Sequence, residues 1–365
     1  MFALRRHAGL CWLLLAYGLV WLTVVISLGV RTPAPDWQTF HGMGRAVLDG
    51  TGWYATPAGA SPNLTPPLVA LVFAPLALLP IRLAFLVWTA AGLAAALWAA
   101  GRIARVWHRP VWQVAALLLA CHGMPIGIIL GQLHLMVFAL VTMAWLADRE
   151  DRFRAAGVWL GVAIYLKPFL ALVAMYWLWR RAWRAALTAA AVAGAGYAIG
   201  LLWLRPATSE WIEGLRSVTW QYASVNLSVW GWIARMDTPA WAGAGFGMVI
   251  LVLLAWRLPA LTRDSAWFAV LVAAYLVSPI AWLYYALPLV GPMGLLYHQG
   301  DRWTRRLLAA GFAGLCVPLS FQTAALAAGR LQAATWGSWY LWAFMCWWLA
   351  ALRPALKRYE TAAAR

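Results

Sequence analysis

The sequence predicts an all-α fold, a polytopic transmembrane helical bundle of about 10–13 membrane segments. Three observations predict it. Of the 365 residues, 64% are apolar and only 11% charged, whereas a soluble domain carries roughly 25% charged residues. Such a chain lacks the polar surface to face water all round. The 28 tryptophans are far above ordinary usage, and indole favours the membrane–water interface, where its ring is buried and its N–H stays wet. The cations behind the net charge of +17 lie in short clusters between apolar runs, a pattern of membrane topology that gives no nucleic-acid patch.

Taken in order, the run Ala8–Val30 follows Arg5, Arg6 and His7. It exceeds the ~7–15 residues of a signal h-region and no small-residue cleavage site follows, so it reads as the first membrane helix. A polar segment, 31–66, comes next. The short run Pro67–Leu79, bracketed by Pro66, Pro67, Pro75 and Pro80, reads as a short or re-entrant helix. Further spans are expected near 83–100, 111–130, 131–147, 155–179 (broken at Lys167-Pro168), 186–204, 240–256, 266–283, 284–298, 307–326 and 335–352. A second polar segment occupies 205–239 and a basic tail 353–365. The whole chain, 1–365, reads as a single integral membrane domain.

The basic clusters Arg102–Arg109, Arg149–Arg154, Arg180–Arg184, Arg257–Arg263, Arg302–Arg306 and the tail gather on one side, which the positive-inside rule makes cytoplasmic. Both termini then face in, and the two long polar loops face out. Heavy use of Ala, Arg and Trp fits a bacterial gene of high GC content, hence a bacterial inner (plasma) membrane. Cys11, Cys121, Cys316 and Cys346 fall in apolar stretches without paired spacing and read as small buried hydrophobes. No HExxH, P-loop, GxSxG or DxD is present, so neither a metal site built from protein ligands nor a cofactor is expected.

The polar residues inside this frame are few. Asp36, just after the first span, is placed as an N-cap, and a carboxylate at the outer boundary can also serve as a general base. Asp49, before Gly50, reads as a turn residue with Arg45 as its i−4 neighbour. Lys167 is one of only two lysines, the other being Lys357, and sits in mid-run before Pro168. An ionisable group in a membrane is functional by default, and a compact cation suits a phosphate. Gln132 and His134, at an outer turn, read equally as interhelical hydrogen-bonding groups or as substrate contacts. Asn63-Leu64-Thr65 and Asn226-Leu227-Ser228 match the glycosylation acceptor pattern, a weak signal.

Several segments together carry a resemblance. Asp36-Trp37-Gln38-Thr39-Phe40, Ala46-Val47-Leu48-Asp49-Gly50, Trp53-Tyr54 and Pro66-Pro67-Leu68 with Phe73-Ala74-Pro75 resemble the first outer loop of glycosyltransferase family 87. Gly131-Gln132, Gly157, Gly161, Lys167-Pro168-Phe169, Asn226-Leu227-Ser228 and Ser278-Pro279 follow in order. That family belongs to the GT-C superfamily of polytopic glycosyltransferases, and its best-known members are polyprenyl-phosphate-mannose-dependent α-mannosyltransferases. The resemblance implies inverting, metal-independent transfer of a sugar, mannose or another hexose, at the outer face. The donor would be a polyprenyl-phosphate sugar and the acceptor a lipid or glycan, with membrane lipids around and no nucleic acid. Asp36 would be the catalytic base. Lys167 and Arg45 would hold the donor phosphate, helped by Arg205 or Arg235. His41, Tyr54, Gln132, His134, Asn226, Ser228, Tyr284 and Tyr285 would contact substrate. The chain departs from the family pattern at Thr65-Pro66-Pro67, where Tyr-Pro-Pro is usual, and at Tyr284-Tyr285, where a His pair is usual. Beside this glycosyltransferase reading stand a transporter or flippase of lipid-linked sugars and an O-antigen-type polymerase or ligase, and the oligomeric state is left open.

Overall fold

The computed structural model describes residues 2–54, 62–217 and 226–353, with side chains from residue 8 onward. The tail beyond residue 353, with Lys357 and Glu360, and parts of both polar loops lie outside the described residues. Of the described residues, 82% are helical and none lies in a strand. Two compact units result.

The first unit takes the residues up to Ala120, Met124–Pro168 and the stretch from Arg181 through Ser217. It opens with α1 (Phe2–Arg31), α2 (Pro35–Asp49) and α3 (Leu68–Phe73). The long α4 (Ile81–Trp107) leads to α5 (Val111–Ala120) and α6 (Gly123–Ile129), which meet at a 72° bend. α7 (His134–Arg149) and α8 (Phe153–Leu166) follow. After a break at Lys167, α9 (Ala171–Trp179) belongs to the second unit, while α10 (Trp183–Trp203) and α11 (Arg205–Ser217) return to the first. The break has a local cause. A residue before proline is pushed out of the helical region, and Lys167 has φ −142° and ψ 92°.

α8 and α10 pack against each other along their length, and small residues permit it. A side chain at Gly157 would come within 2.6 Å of the Ala185 carbonyl, and one at Gly161 within 2.7 Å of Val192 Cβ. This is the small-xxx-small interface by which membrane helices approach one another without a hydrophobic driving force. It fixes the end of α8, and therefore Lys167.

In the second unit α12 (Val229–Arg235), α13 (Ala240–Arg257), α14 (Arg263–Val277) and α15 (Val290–Gln299) precede α16 (Arg302–Leu315) and α17 (Leu319–Leu326), which bend by 79°. α18 (Arg330–Ala334) and α19 (Trp339–Ala351) complete it. α14 is the hub: it packs on α9, α12, α13, α15 and α19, and every residue from Ser265 to Leu276 is buried.

Among the described residues, four helices are long and apolar enough to cross a membrane, Ala8–Arg31, Ile81–Trp107, Trp183–Trp203 and Ala240–Ala260, or up to six if each bent pair is one span. That is fewer than the 10–13 segments expected. Several expected spans are interrupted by proline, at Pro168, Pro279 and Pro318, and leave pieces short of the ~20 residues a span needs. Pro67–Leu79 holds only α3 and a single 3-10 turn, as its prolines foretold. The polar segment 205–239 corrects expectation: it contains two helices, one of them the amphipathic α11.

Within each unit, basic segments expected to share a side do meet. Glu150 bridges Arg152 (2.6 Å) and Arg102 (4.0 Å). Arg257 donates to the Leu352 carbonyl, and Arg353 to Asp301 at 2.7 Å. Asp301 also caps α16 by accepting the Thr304 N–H.

Two predictions follow from this packing. Gly161→Val should lower stability by about 1–3 kcal/mol through overpacking, read as a drop in Tm in detergent. Donation from Arg353, then from the Thr304 N–H, holds the Asp301 carboxyl at about 2, below its usual 3.8. The contribution of this half-exposed pair, at most about 1 kcal/mol, is therefore complete above the unfolded pKa and fades as pH falls toward 2. Thermal melts of wild type and Asp301→Asn from pH 5 to 2 should converge at the acid end.

Candidate active site

The first unit gathers its polar residues around the start of α2. Trp37 is wholly buried. Its ring packs edge-on against Phe73 and Phe85, and its indole N–H donates to the Ile81 carbonyl at 3.1 Å. Phe40 stacks on Phe73 at 5.0 Å. With two of its residues pinned this way, α2 cannot roll about its axis, and the half-buried Asp36 beside Trp37 is aimed by the same contacts.

Asp36 is not the N-cap. Ala34 occupies that position, with Pro35 starting the helix and no side-chain cap. Proline is pre-organised for the first helical position, so it moves the start one residue ahead of the carboxylate. The carboxylate instead accepts a 2.6 Å hydrogen bond from the Gln132 amide. Gln132 is delivered by Gly131, whose φ of +68° only glycine adopts without strain. A side chain there would also strike the Trp37 ring at 2.6 Å. Trp88 donates to the Gly131 carbonyl at 3.0 Å and fixes the turn. Lys167, at the break after α8, is half-buried and within electrostatic reach of Asp36. Carboxylate, amide and ammonium are thus brought together from three separate parts of the chain.

A second layer lies on the two polar loops. The Tyr54 hydroxyl donates to the Thr65 carbonyl at 2.5 Å, and its backbone N–H to Glu210 of α11 at 3.1 Å. Burial, with Tyr165 and Glu210 nearby, pushes the Tyr54 phenol well above its usual value, so it stays a neutral donor. Trp211 donates to the Leu64 carbonyl at 3.2 Å. Tyr165 accepts from the Leu68 N–H, and Tyr197 donates to the Tyr165 carbonyl. Pro67, Tyr165, Tyr197, Thr208 and Trp211 line an apolar cavity of about 200 Å³. Glu210, Trp211 and Tyr165 escaped the sequence reading. The only available signal was the amphipathic pattern of 205–217.

Other expected residues are placed elsewhere. Arg45 pairs with Asp49 at 3.0 Å on the exposed face of α2, nine residues and about 13 Å along the axis from Asp36, so it does not join that carboxylate. His41 meets the Leu79 carbonyl at 3.1 Å. His134 is buried with its ring against Gly127 and near the Gln132 carbonyl. Asn63 holds a local turn by accepting from both the N–H and the hydroxyl of Thr65.

In the second unit, Asn226 and Ser228 are wholly buried. Asn226 accepts from the N–H groups of Ser228 and Ala281 and donates to the Pro279 carbonyl. Ser228 caps α12 through the Gly231 N–H. These polar atoms, expected as substrate contacts, tie the end of the second loop to the Ser278-Pro279 break. Arg235 donates to Ser338 and to the Asn226 carbonyl, and burial lowers it only to about 10, so it remains a cation. Arg205 is exposed. Tyr284 and Tyr285 are buried against each other, with ring centroids 4.9 Å apart.

Comparison with known proteins gives these residues a context. Residues 63–283 match the sequence profile of glycosyltransferase family 87. The chain is 30% identical over 330 residues to a Mycolicibacterium smegmatis protein, covering 76% of this chain and 74% of the relative. This chain belongs to glycosyltransferase family 87. That relative is named polyprenol-phosphate-mannose-dependent alpha-(1-2)-phosphatidylinositol mannoside mannosyltransferase. A second, the corresponding pentamannoside mannosyltransferase of the same organism, is 29% identical over 70% of this chain and 67% of its own. Like other members of its family, the chain is a multi-pass membrane glycosyltransferase. The matched stretch includes Gln132 and Lys167 and begins after Asp36. Among solved structures, ArnT from Cupriavidus metallidurans in the apo state is similar at 17% identity and TM-score 0.43, over 95% of this chain and 77% of that one. Its undecaprenyl-phosphate-bound form gives 16% and 0.39, over 94% and 77%.

The turn that delivers Gln132 tolerates no side chain at its first residue. Gly131→Ala should therefore cost about 1–3 kcal/mol, checked by Tm, whereas Gly101→Ala, at a half-buried helical position with open space where the new methyl would sit, should be neutral or slightly stabilising.

Proposed function

We propose that the protein transfers mannose, or a closely related hexose, from a polyprenyl-phosphate carrier to a lipid or glycan acceptor, with inversion and without a metal. The observation that carries this reading is the Asp36–Gln132 hydrogen bond with Lys167 in electrostatic reach, in a chain of this family. Asp36 takes the proton of the acceptor hydroxyl as its oxygen forms a bond to the anomeric carbon. The bond from that carbon to the phosphate oxygen breaks on the opposite side, and polyprenyl phosphate departs as an anion. A phosphate leaves without being protonated, so one base suffices. Lys167 meets the charge that develops on the departing group. Gln132, a positioning residue, keeps one carboxylate oxygen engaged and so orients the other. The names of the two mycobacterial relatives support both the mannose and its carrier.

The cation distribution supports a cytoplasmic location for both termini and an outward-facing site in a bacterial inner membrane. The Tyr54–Glu210 and Trp211–Leu64 contacts, which bring together the two loops expected outside, support that reading.

Asp36→Asn should lower sugar transfer from a polyprenyl-phosphate donor by about 10²–10⁴-fold while leaving Tm near wild type. Lys167→Met should cost roughly a hundredfold, and Gln132→Leu roughly tenfold for one hydrogen bond to a charged group. Transfer is read by mass spectrometry of the acceptor with purified protein in lipid. Undiminished transfer by Asp36→Asn would remove Asp36 as the base.

A further inference from the structure

The second unit carries a cationic groove whose lining residues have no part in the proposed transfer. It has a volume of about 510 Å³ and lies over the first two turns of α16, where Arg302, Arg305 and Arg306 line it. All three arginines are exposed, and two are held in place. Arg305 donates to the carbonyls of Tyr297 (3.0 Å) and His298 (3.3 Å), and the Arg306 guanidinium lies 5.1 Å over the Trp303 ring. Among the described residues that line it, the one acid is Asp301, which already accepts from Arg353 and from the Thr304 N–H. These lining residues therefore carry a net positive charge.

Further along the same helix lies a second groove, of about 330 Å³ and almost wholly apolar. Ala310 and Gly314 of α16 form its floor, and Trp336, Trp339 and Trp342 its wall. The indole N–H groups of Trp339 and Trp342 are spent on the Gly314 and Thr335 carbonyls, each at 3.0 Å, which leaves ring surface facing the groove. Positions 302, 306, 310 and 314 succeed one another at i, i+4 and make one stripe. The cationic groove thus runs into the apolar one, and Arg306 stands about 12 Å along the axis from Gly314. Trp303, 58% exposed beside the arginines, is a residue type that settles at the headgroup level.

We propose that this stripe binds one anionic phospholipid, its phosphate on Arg302, Arg305 and Arg306 and one acyl chain along the tryptophan groove. The order of polarity along α16, cationic and then apolar, matches the order of headgroup and chain. A soluble phosphate would use the first groove alone.

Delipidated full-length protein in detergent is titrated with dioleoyl phosphatidylglycerol, dioleoyl phosphatidylcholine or inorganic phosphate, and read by native mass spectrometry and Tm. Phosphatidylglycerol should give retained adducts and a rise in Tm, and the other two neither at equal concentration. Arg302→Gln with Arg306→Gln, which leaves the Arg305 carbonyl contacts intact, should weaken phosphatidylglycerol binding at least about tenfold. Its adducts are counted on the folded fraction, so a loss of yield does not blur the outcome. Ala310→Trp, on the exposed floor, should weaken the dioleoyl lipid but not a dihexanoyl one. Equal binding of phosphatidylcholine, unchanged affinity in the double variant, or a full response to inorganic phosphate would each overturn the proposal. Ala310→Trp binding both chain lengths as wild type does would overturn its acyl-chain half.

Discussion

A carboxylate can be aimed only if the helix that carries it is prevented from turning, and here that is the work of Trp37. Its ring sits between Phe73 and Phe85, its N–H is held by the Ile81 carbonyl, and its face closes the space beside Gly131. One side chain thus connects α2, α3, α4 and the turn before α7. Asp36 precedes Trp37 in the chain and Gln132 follows Gly131, so the contact that orients the acid also delivers its hydrogen-bond donor.

The same economy holds at Lys167. The glycines of α8 let that helix approach α10, and Pro168 stops it at Leu166, with Lys167 as the first residue outside. An ammonium placed on a broken helix has the freed backbone and a half-buried setting around it, a less costly position than the middle of a continuous span. In the second unit Asn226 and Ser228 solve a different problem. Two buried side chains satisfy the backbone where the second loop meets the Ser278-Pro279 break, as buried irregular backbone requires.

Much of this was legible in the sequence. Apolar runs foretold α1, α4, α10 and α13, and prolines foretold both the broken stretch at 67–79 and the break at Lys167-Pro168. The Arg45–Asp49 pair also lies at the spacing that suggested it. What was not legible depended on tertiary partners. The helices of 205–239 are stabilised by contacts with distant segments, and polarity alone reads as loop. Buried Asn226 looks like a surface acceptor in a three-residue pattern, because the pattern carries no information about burial. α14 is too short to span and too apolar to be exposed, and only its five neighbours show that it is a core helix.

The choice of arginine for nearly every cation has a practical side. Apart from the α-amine and Lys357, the chain offers a single primary amine, Lys167, and that amine lies within electrostatic reach of Asp36. An amine-directed reagent is therefore close to a single-site probe of the interior. Its rate of modification would follow solvent and substrate access to the break in α8 without any engineered label.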